Sequence, residues 1–395
     1  MLEKNKYSFY YYIFSCLFII IFFYFLLVYK KEEEKASGLI LNKVMFKDLP
    51  GWSITNIFKA KKSLERSCNI ISKKGFSETA HLSNIVIKMA SYRNFCAKLK
   101  TISNNNTLKQ LLTSSFYPVL LESPSQNTHF TGYIELELKG RLSPNFQEAP
   151  NAVPIFKRPK KLITIDLGLF KKELKDHKIT AILINDKIIP VPSRKEIEIE
   201  NLYGDSIIAY IDDPARAYFL HIQGSGIIKL ANGKTLSVGF DGDNGKEYFS
   251  IGKLLIQEGI ISKEKMSMQA IIKWMEDNSE AAITLRHKNE RFIFFKERNI
   301  FEGPMGASGA IVTAMHTAAV DQKFLPYHIP LWAEIDNFYN NKAAQKHFNL
   351  FVSQDTGSAI KGPTRIDLFL GKGSAAENIA GKLNSKGKLW ALIPK

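Results

Sequence analysis

Asp355 and Asp367 stand twelve residues apart in QDTGSAIKGPTRIDLFLG, with Gly357 and Gly362 between them. Carboxyl groups among glycines and aromatics suit carbohydrate chemistry. A carboxylic acid can protonate a glycosidic oxygen, and the resulting carboxylate can take a proton back. Read more plainly, the same stretch is a turn joining two strands.

Other chemistries find less support. None of the eight histidines falls in an HxxxH or HExxH pattern, and Cys16, Cys68 and Cys96 lack metal-ligand spacing, so no metal or cofactor is implied. Gly306-Ala307-Ser308-Gly309-Ala310 approaches a nucleophile elbow but has Ala where the second Gly belongs, and no triad partner accompanies it. LFLGKGSAAENIAG, Leu368 to Gly381, reads strand, GxGxxA, helix, yet no acidic residue follows. A dinucleotide fold needs that residue and further βαβ units. The expected role is a tight turn with Ser374 capping a helix. Asp241 and Asp243 near Gly245 lack the later acidic ligands of a calcium loop and are expected in a turn.

The elements that must position the aspartates follow from periodicity. Apolar residues at helical spacing predict helices over Ile54–Lys73 and Thr79–Leu99, and FTGYIELELKGRL from Phe130 alternates like a strand. A basic stretch, IFKRPKKL, follows at Ile155 to Leu162. Alternation on both sides of Asn232-Gly233 predicts a hairpin. Helices are expected around Ile251–Glu258 and Lys263–Asp277, and a strand at Arg291–Phe295. From Gly303 onward, short strands punctuated by Gly and Pro suggest a small barrel.

The chain has 395 residues, too many for one small core, so two domains are expected. Its 54 basic and 38 acidic residues give a net charge of +16, which favours polyanions: nucleic acid, anionic lipid or an acidic wall polymer. The lysines are scattered, without an arginine-rich arm or an aromatic RNA-binding signature, so nucleic acid is not the expected partner. Tyr7 to Tyr29 carries no charge. At about 1.5 Å per residue such a run crosses a bilayer core. Residues 1–36 are therefore read as a single-pass anchor, with cleavage near Ala36-Ser37 as the alternative. Cys68 and Cys96 could pair in an oxidising compartment or remain buried thiols, and both readings stay open.

A resemblance unites these parts. LPGW at Leu49, FTGYIE at Phe130, FLHIQGSG at Phe219, NGKEYFSIGKLLIQEG at Asn244, MSMQAIIKWM at Met266 and FIFFKE at Phe292 occur in that order. With the segments from Gly303 to Gly373, they resemble the membrane-bound lytic murein transglycosylases of the MltA family over nearly everything after residue 40. The resemblance implies a mainly β fold with flanking helices and two domains. One is a discontinuous catalytic domain, 37–135 and 298–395, holding a double-psi β-barrel with a 3D (three-aspartate) module at 303–373. The other is a β-rich insert, 136–297, and an N-terminal transmembrane helix precedes both.

The resemblance also implies a peptidoglycan lytic exotransglycosylase, a carbon–oxygen lyase that breaks the β-1,4 bond between N-acetylmuramic acid and N-acetylglucosamine without water. Asp367 would be acid and then base, and Asp355 and Asp321 would support it, Asp321 through structural hydrogen bonds. Thr131, Tyr133, Glu135 and Phe369 would line the glycan groove, with Tyr133 stacking on a sugar face or packing in the core. Gln223 and Ser225 would bind sugar or belong to a turn or bulge set by Gly224 and Gly226, while Gly357, Ser358 and Lys361 would position acetamido groups or hydroxyls. The chain departs from its relatives at Leu136, where they have Pro, and at Ser358 and His328, where they favour Gly. His328 would then need a positive φ. Expected partners are peptidoglycan strands, the membrane through the N-terminal run, and other cell-wall enzymes. The expected location is the cell envelope: anchored in the inner membrane facing the periplasm, or free in the periplasm after cleavage. The rivals are ordinary glycoside hydrolysis by an Asp355–Asp367 pair, and a barrel that binds wall polymer without cutting it.

Overall fold

The computed structural model describes residues 38–395 except 76, 125, 146, 176, 300–302 and 340–344. The predicted anchor lies outside these residues. No helix among the described residues is long and apolar enough to cross a membrane.

The chain opens with β1 (Ile40–Lys43), the helix Lys61–Lys74, the hairpin β2 (Thr79–Leu82) and β3 (Ile85–Lys88), and helices Tyr92–Leu99 and Asn105–Ser115. β4 (Phe116–Glu122) then leads into β5 (His129–Arg141), the longest strand. A first group of later strands comprises β6 (Val153–Phe156), β7 (Leu162–Asp166), β8 (Lys178–Ile184), β9 (Lys187–Pro190) and β10 (Ile207–Ile211). The hairpin β11 (Ser225–Leu230) and β12 (Thr235–Asp243) follows, then β13 (Ile293–Arg298). The last group is β14 (Thr317–Val320), β15 (Pro330–Asp336), β16 (Lys346–Asp355), β17 (Arg365–Lys372) and β18 (Asn384–Pro394).

Six of these strands close on themselves. β5 pairs β17, β17 pairs β14, β14 pairs β16, β16 pairs β15, β15 pairs β18, and β18 returns to β5. A closed ring leaves no free edge inside the sheet. β5 belongs to two neighbourhoods. Residues 129–135 pair with β17, and residues 136–140 pair in parallel with β11. At the switch, Glu135 accepts from Arg298 at 2.5 Å with both side chains nearly dry. This ion pair ties the strand leaving the ring to the one returning toward it.

The aromatic residues of LPGW lock the N-terminus onto the ring. Trp52 meets fully buried Trp332 edge-on at 5.1 Å, and the Trp332 indole N–H donates to the Pro50 carbonyl. A second, smaller core gathers Phe156, Leu162, Ile182, Ile197, Phe292 and Phe294 beyond the switch.

Several expectations need correction. Thr79–Leu99 is not one helix, because Ser83 turns the chain at φ 52° and the β-branched run Ile85-Val86-Ile87 pairs as a strand, leaving helix only over Tyr92–Leu99. The helix expected from Ile54 starts at Lys61; the Ile57 N–H is taken by the Asn105 side chain and Thr55 bonds back to Gly51. The helix expected from Lys263 starts at Met268, capped by the Ser267 side chain. Ser374 is not a cap: the helix Gly373–Ala380 begins after Lys372 without a side-chain cap, at a glycine with φ 83°. The Asn232-Gly233 hairpin is present, with Gly233 at φ 81°. The region beyond the switch is not simply β-rich, since helices Arg194–Glu200, Pro214–Gln223, Ile251–Gln257, Met268–Asp277 and Ser279–Lys288 also lie there.

Candidate active site

Register brings the two aspartates together. Ala319 on β14 stands opposite Asp355 on β16 and opposite Asp367 on β17. Asp367 in turn pairs with Thr131 on β5, and Thr131 with Asn384 on β18. One row thus crosses five strands: Asp355, Ala319, Asp367, Thr131, Asn384. Residues directly opposite share a face, and two strand spacings put the aspartate Cα atoms roughly 10 Å apart. Ala319 between them contributes only a methyl group and is itself buried.

A bulge makes this alignment. Between the Ala318–Ser353 and Ala319–Asp355 pairs the register slips, so Gln354 is left over. Bulges re-aim side chains, and here Gln354 turns inward. Its amide donates to the Ser63 carbonyl and Ser67 Oγ, and its Oε1 accepts from Ser63 and Thr317 hydroxyls. Every hydrogen-bonding position of this buried amide is therefore used, which holds the next residue, Asp355, in place. Ser67 also meets the His328 ring, and the His328 N–H donates to Ser353 at φ 70°, the expected left-handed turn. The helix carrying Ser63 and Ser67 is joined to the next by a Cys68–Cys96 disulfide, Cα atoms 5.5 Å apart. That settles the open pairing question.

The two carboxyls are solvated differently. Asp355 accepts three hydrogen bonds: Tyr133 Oη at 2.7 Å, and the Ala307 and Thr356 backbone N–H groups at 2.9 Å each. Asp367 accepts from Thr131 Oγ1 at 2.5 Å. Burial pushes both above the ordinary aspartate range. For Asp355 the Ala307, Tyr133 and Thr356 donors oppose the rise. For Asp367 the Thr131 bond and Arg365 oppose it, while the Asp355 charge adds to it. Three hydrogen-bond donors favour ionised Asp355, while ionised Asp367 is favoured by one donor and the Arg365 charge, so hydrogen bonding supports the charged form more fully at Asp355. Tyr133 is raised well above the usual phenol range by burial and then by Asp355, and it stays a donor.

The remaining expected residues divide. Phe369 is buried with its ring 5.2 Å from that of Tyr133, packing beneath it. Gly357, Ser358 and Lys361 lie on the β16–β17 loop between the aspartates, with Ser358 and Lys361 exposed. Asp321 is buried and accepts from the Gly362 and Lys323 N–H groups, so it holds that loop shut. Glu135 faces Arg298 in the ion pair at the switch. Gln223 accepts the Ile134 N–H through its side chain, and Ser225 is buried at the start of β11 after Gly224 turns at φ 77°.

Other neighbours escaped the sequence reading. Tyr327 lies close enough to Asp355 for that charge, after burial, to raise its phenol. His129 bonds Asn384 Oδ1 at 2.5 Å and pairs with Arg365 one step along the same face. The near-elbow GASGA supplies the Ala307 N–H, and Gly306 is required because a Cβ there would sit 2.4 Å from the Gln354 carbonyl oxygen. No local pattern in the sequence marks these three.

Two family models match the chain, the MltA specific insert domain over residues 129–296 and the 3D domain over residues 316–393. Over these two segments the chain is similar to the MltA family. Membrane-bound lytic murein transglycosylase A of Escherichia coli (strain K12) is 37% identical over 206 residues, covering 51% of this chain and 56% of that protein. The Vibrio cholerae counterpart is 32% identical over 206 residues. The matched region thus spans about half the length of these relatives. Among solved structures, a membrane-bound lytic murein transglycosylase from Agrobacterium tumefaciens shares the fold at a TM-score of 0.78 and 24% identity, covering 90% of this chain and 97% of that one. Escherichia coli MltA with bound chitohexaose is similar at a TM-score of 0.65 and 26% identity, covering 90% and 94%.

Proposed function

We propose that the chain is a lytic transglycosylase that breaks the β-1,4 bond between N-acetylmuramic acid and N-acetylglucosamine in peptidoglycan. The observation that carries this reading is the unequal solvation of Asp355 and Asp367. Protonated Asp367 gives its proton to the glycosidic oxygen as the C1–O bond breaks and positive charge develops at C1. The muramyl 6-hydroxyl then closes on C1, and its proton returns to Asp367. The products are a 1,6-anhydromuramyl end and a free 4-hydroxyl, with no water consumed. A raised pKa suits a group that must be acid first and base second.

Hydrolysis by a carboxylate pair would need Asp355 as nucleophile or base toward water. Three donors occupy Asp355, which argues for a supporting charge instead. The relative solved with chitohexaose supports a glycan ligand for this groove. We take 37–135 and 298–395 as the catalytic domain, read its six-stranded ring as a double-psi β-barrel, and take 136–297 as the insert. The envelope is the proposed location, at the inner membrane facing the periplasm if residues 1–36 are kept and in the periplasm if they are removed. Other cell-wall enzymes are proposed partners. Digestion of purified peptidoglycan, read by mass spectrometry, tests the reading: anhydromuramyl products support it, and reducing-end products contradict it.

A further inference from the structure

A separate three-stranded sheet carries an unusual concentration of exposed apolar side chains. In the three-stranded sheet β7–β8–β9, Ile163 and Pro190 both stand opposite Ala181, Ile165 stands opposite Ile179, and Leu183 opposite Ile188. These positions alternate along their strands, so they share one face, and every residue on it is apolar. The opposite face sends Leu162 and Ile182 into the second core. Around buried Ala181 this face is open to solvent, with Ile163 and Ile165 partly exposed, Ile179 and Leu183 exposed and Ile188 56% accessible. At its end the β7–β8 loop projects Leu169 and Phe170, 85% and 76% accessible. Contiguous exposed apolar surface of this kind marks a docking site.

Charge selects the occupant. From Lys157 to Pro190 the sequence has nine basic residues against four acidic ones. The basic stretch at Lys157–Lys161 leads directly into β7, and exposed Lys171, Lys172 and Lys175 follow Phe170. Lysine is depleted at protein–protein interfaces. At a lipid surface it is favoured, because its stem lies along apolar groups while the ammonium meets anionic headgroups. The uncharged run Tyr7–Tyr29 independently points to a bilayer as this chain's neighbour. We infer that the β7–β9 face, with Leu169 and Phe170 at its tip, docks on an anionic phospholipid surface. This rests on no assumption about the reaction at Asp367.

The test uses the full chain reconstituted in phosphatidylglycerol-rich vesicles with brominated acyl chains. Phe170→Trp introduces an indole at an exposed position, so folding is not at stake, and the signal of the four native tryptophans is subtracted with the unsubstituted chain. The expected result is a blue-shifted emission from the introduced indole and its quenching by the brominated lipid. Both should be lost on adding Lys171→Glu and Lys172→Glu, or in purely zwitterionic vesicles. Emission that stays red and unquenched overturns the inference. Quenching indifferent to lipid charge and to the lysines overturns the anionic occupant. A blue shift without quenching that grows with protein concentration assigns the face to a second copy of the chain instead.

Discussion

Asp355 and Asp367 face each other across a single residue, Ala319, each being its partner on one side of β14. Three neighbouring strands, with the bulge at Gln354, deliver them to the same face. Their environments then divide the labour. Asp355 sits in a cradle of three donors that holds a negative charge, and that charge helps keep the proton on Asp367.

Removing a donor from each aspartate should move the pH profile in opposite directions. Thr131→Val deletes the bond that favours ionised Asp367, so its pKa rises and the alkaline limb of kcat/KM moves up. Tyr133→Phe deletes a bond that favours ionised Asp355, so less charge supports the proton on Asp367 and the limb moves down. Each change should also cost about tenfold in kcat/KM, the scale of one lost charge-assisted hydrogen bond. Limbs that shift together would show that the two carboxyls are not divided in this way.

Stability should carry the same signature. Asp367 is held above its unfolded-state pKa, so the folded form binds its proton more tightly, and stability falls as pH rises from the ordinary aspartate range through the raised value. Asp367→Asn removes a group that is costly to ionise in place. The variant should melt higher than the parent at pH 7, and its advantage should vanish below the ordinary aspartate range, where both chains are neutral at this position. Calorimetry at the two pH values checks this.

The Glu135–Arg298 pair at the switch is nearly dry, so removing one partner strands the other's charge. Glu135→Leu alone should cost about 3–5 kcal/mol in urea unfolding. Adding Arg298→Met should recover most of that loss. A double variant as unstable as the single would mean that the pair is worth more than its desolvation.

Cys68 and Cys96 close a 28-residue separation between the first two helices. Replacing both with Ser should lower unfolding free energy by about 2–4 kcal/mol. Treating the parent with reductant should reproduce the loss, while the variant should be indifferent to it.

Much of this arrangement could be read from the chain and part could not. Local chemistry announced the Asn232-Gly233 hairpin and the loop between the aspartates, and the resemblance to relatives with Gly there announced the left-handed His328. It failed at Thr79–Leu99, where apolar spacing fits a helix while a β-branched run and its turn make a hairpin. The site itself depends on pairings between distant residues. Gln354 as the leftover residue of a bulge, Ala307 as a donor and Tyr133 as the partner of Asp355 follow from register across β5, β17, β14 and β16, and no local pattern encodes that register. Glu135 and Gln223 show the converse, since residues expected to face sugar hold the junction between the two halves of β5.

The most direct test of the account compares the parent chain with Asp367→Asn on purified peptidoglycan, reading the soluble products by mass spectrometry. The account predicts 1,6-anhydromuramyl ends from the parent and none from the variant, with the variant still folded and still bound to the glycan. Reducing ends from the parent, or anhydro products that persist in the variant, would contradict it.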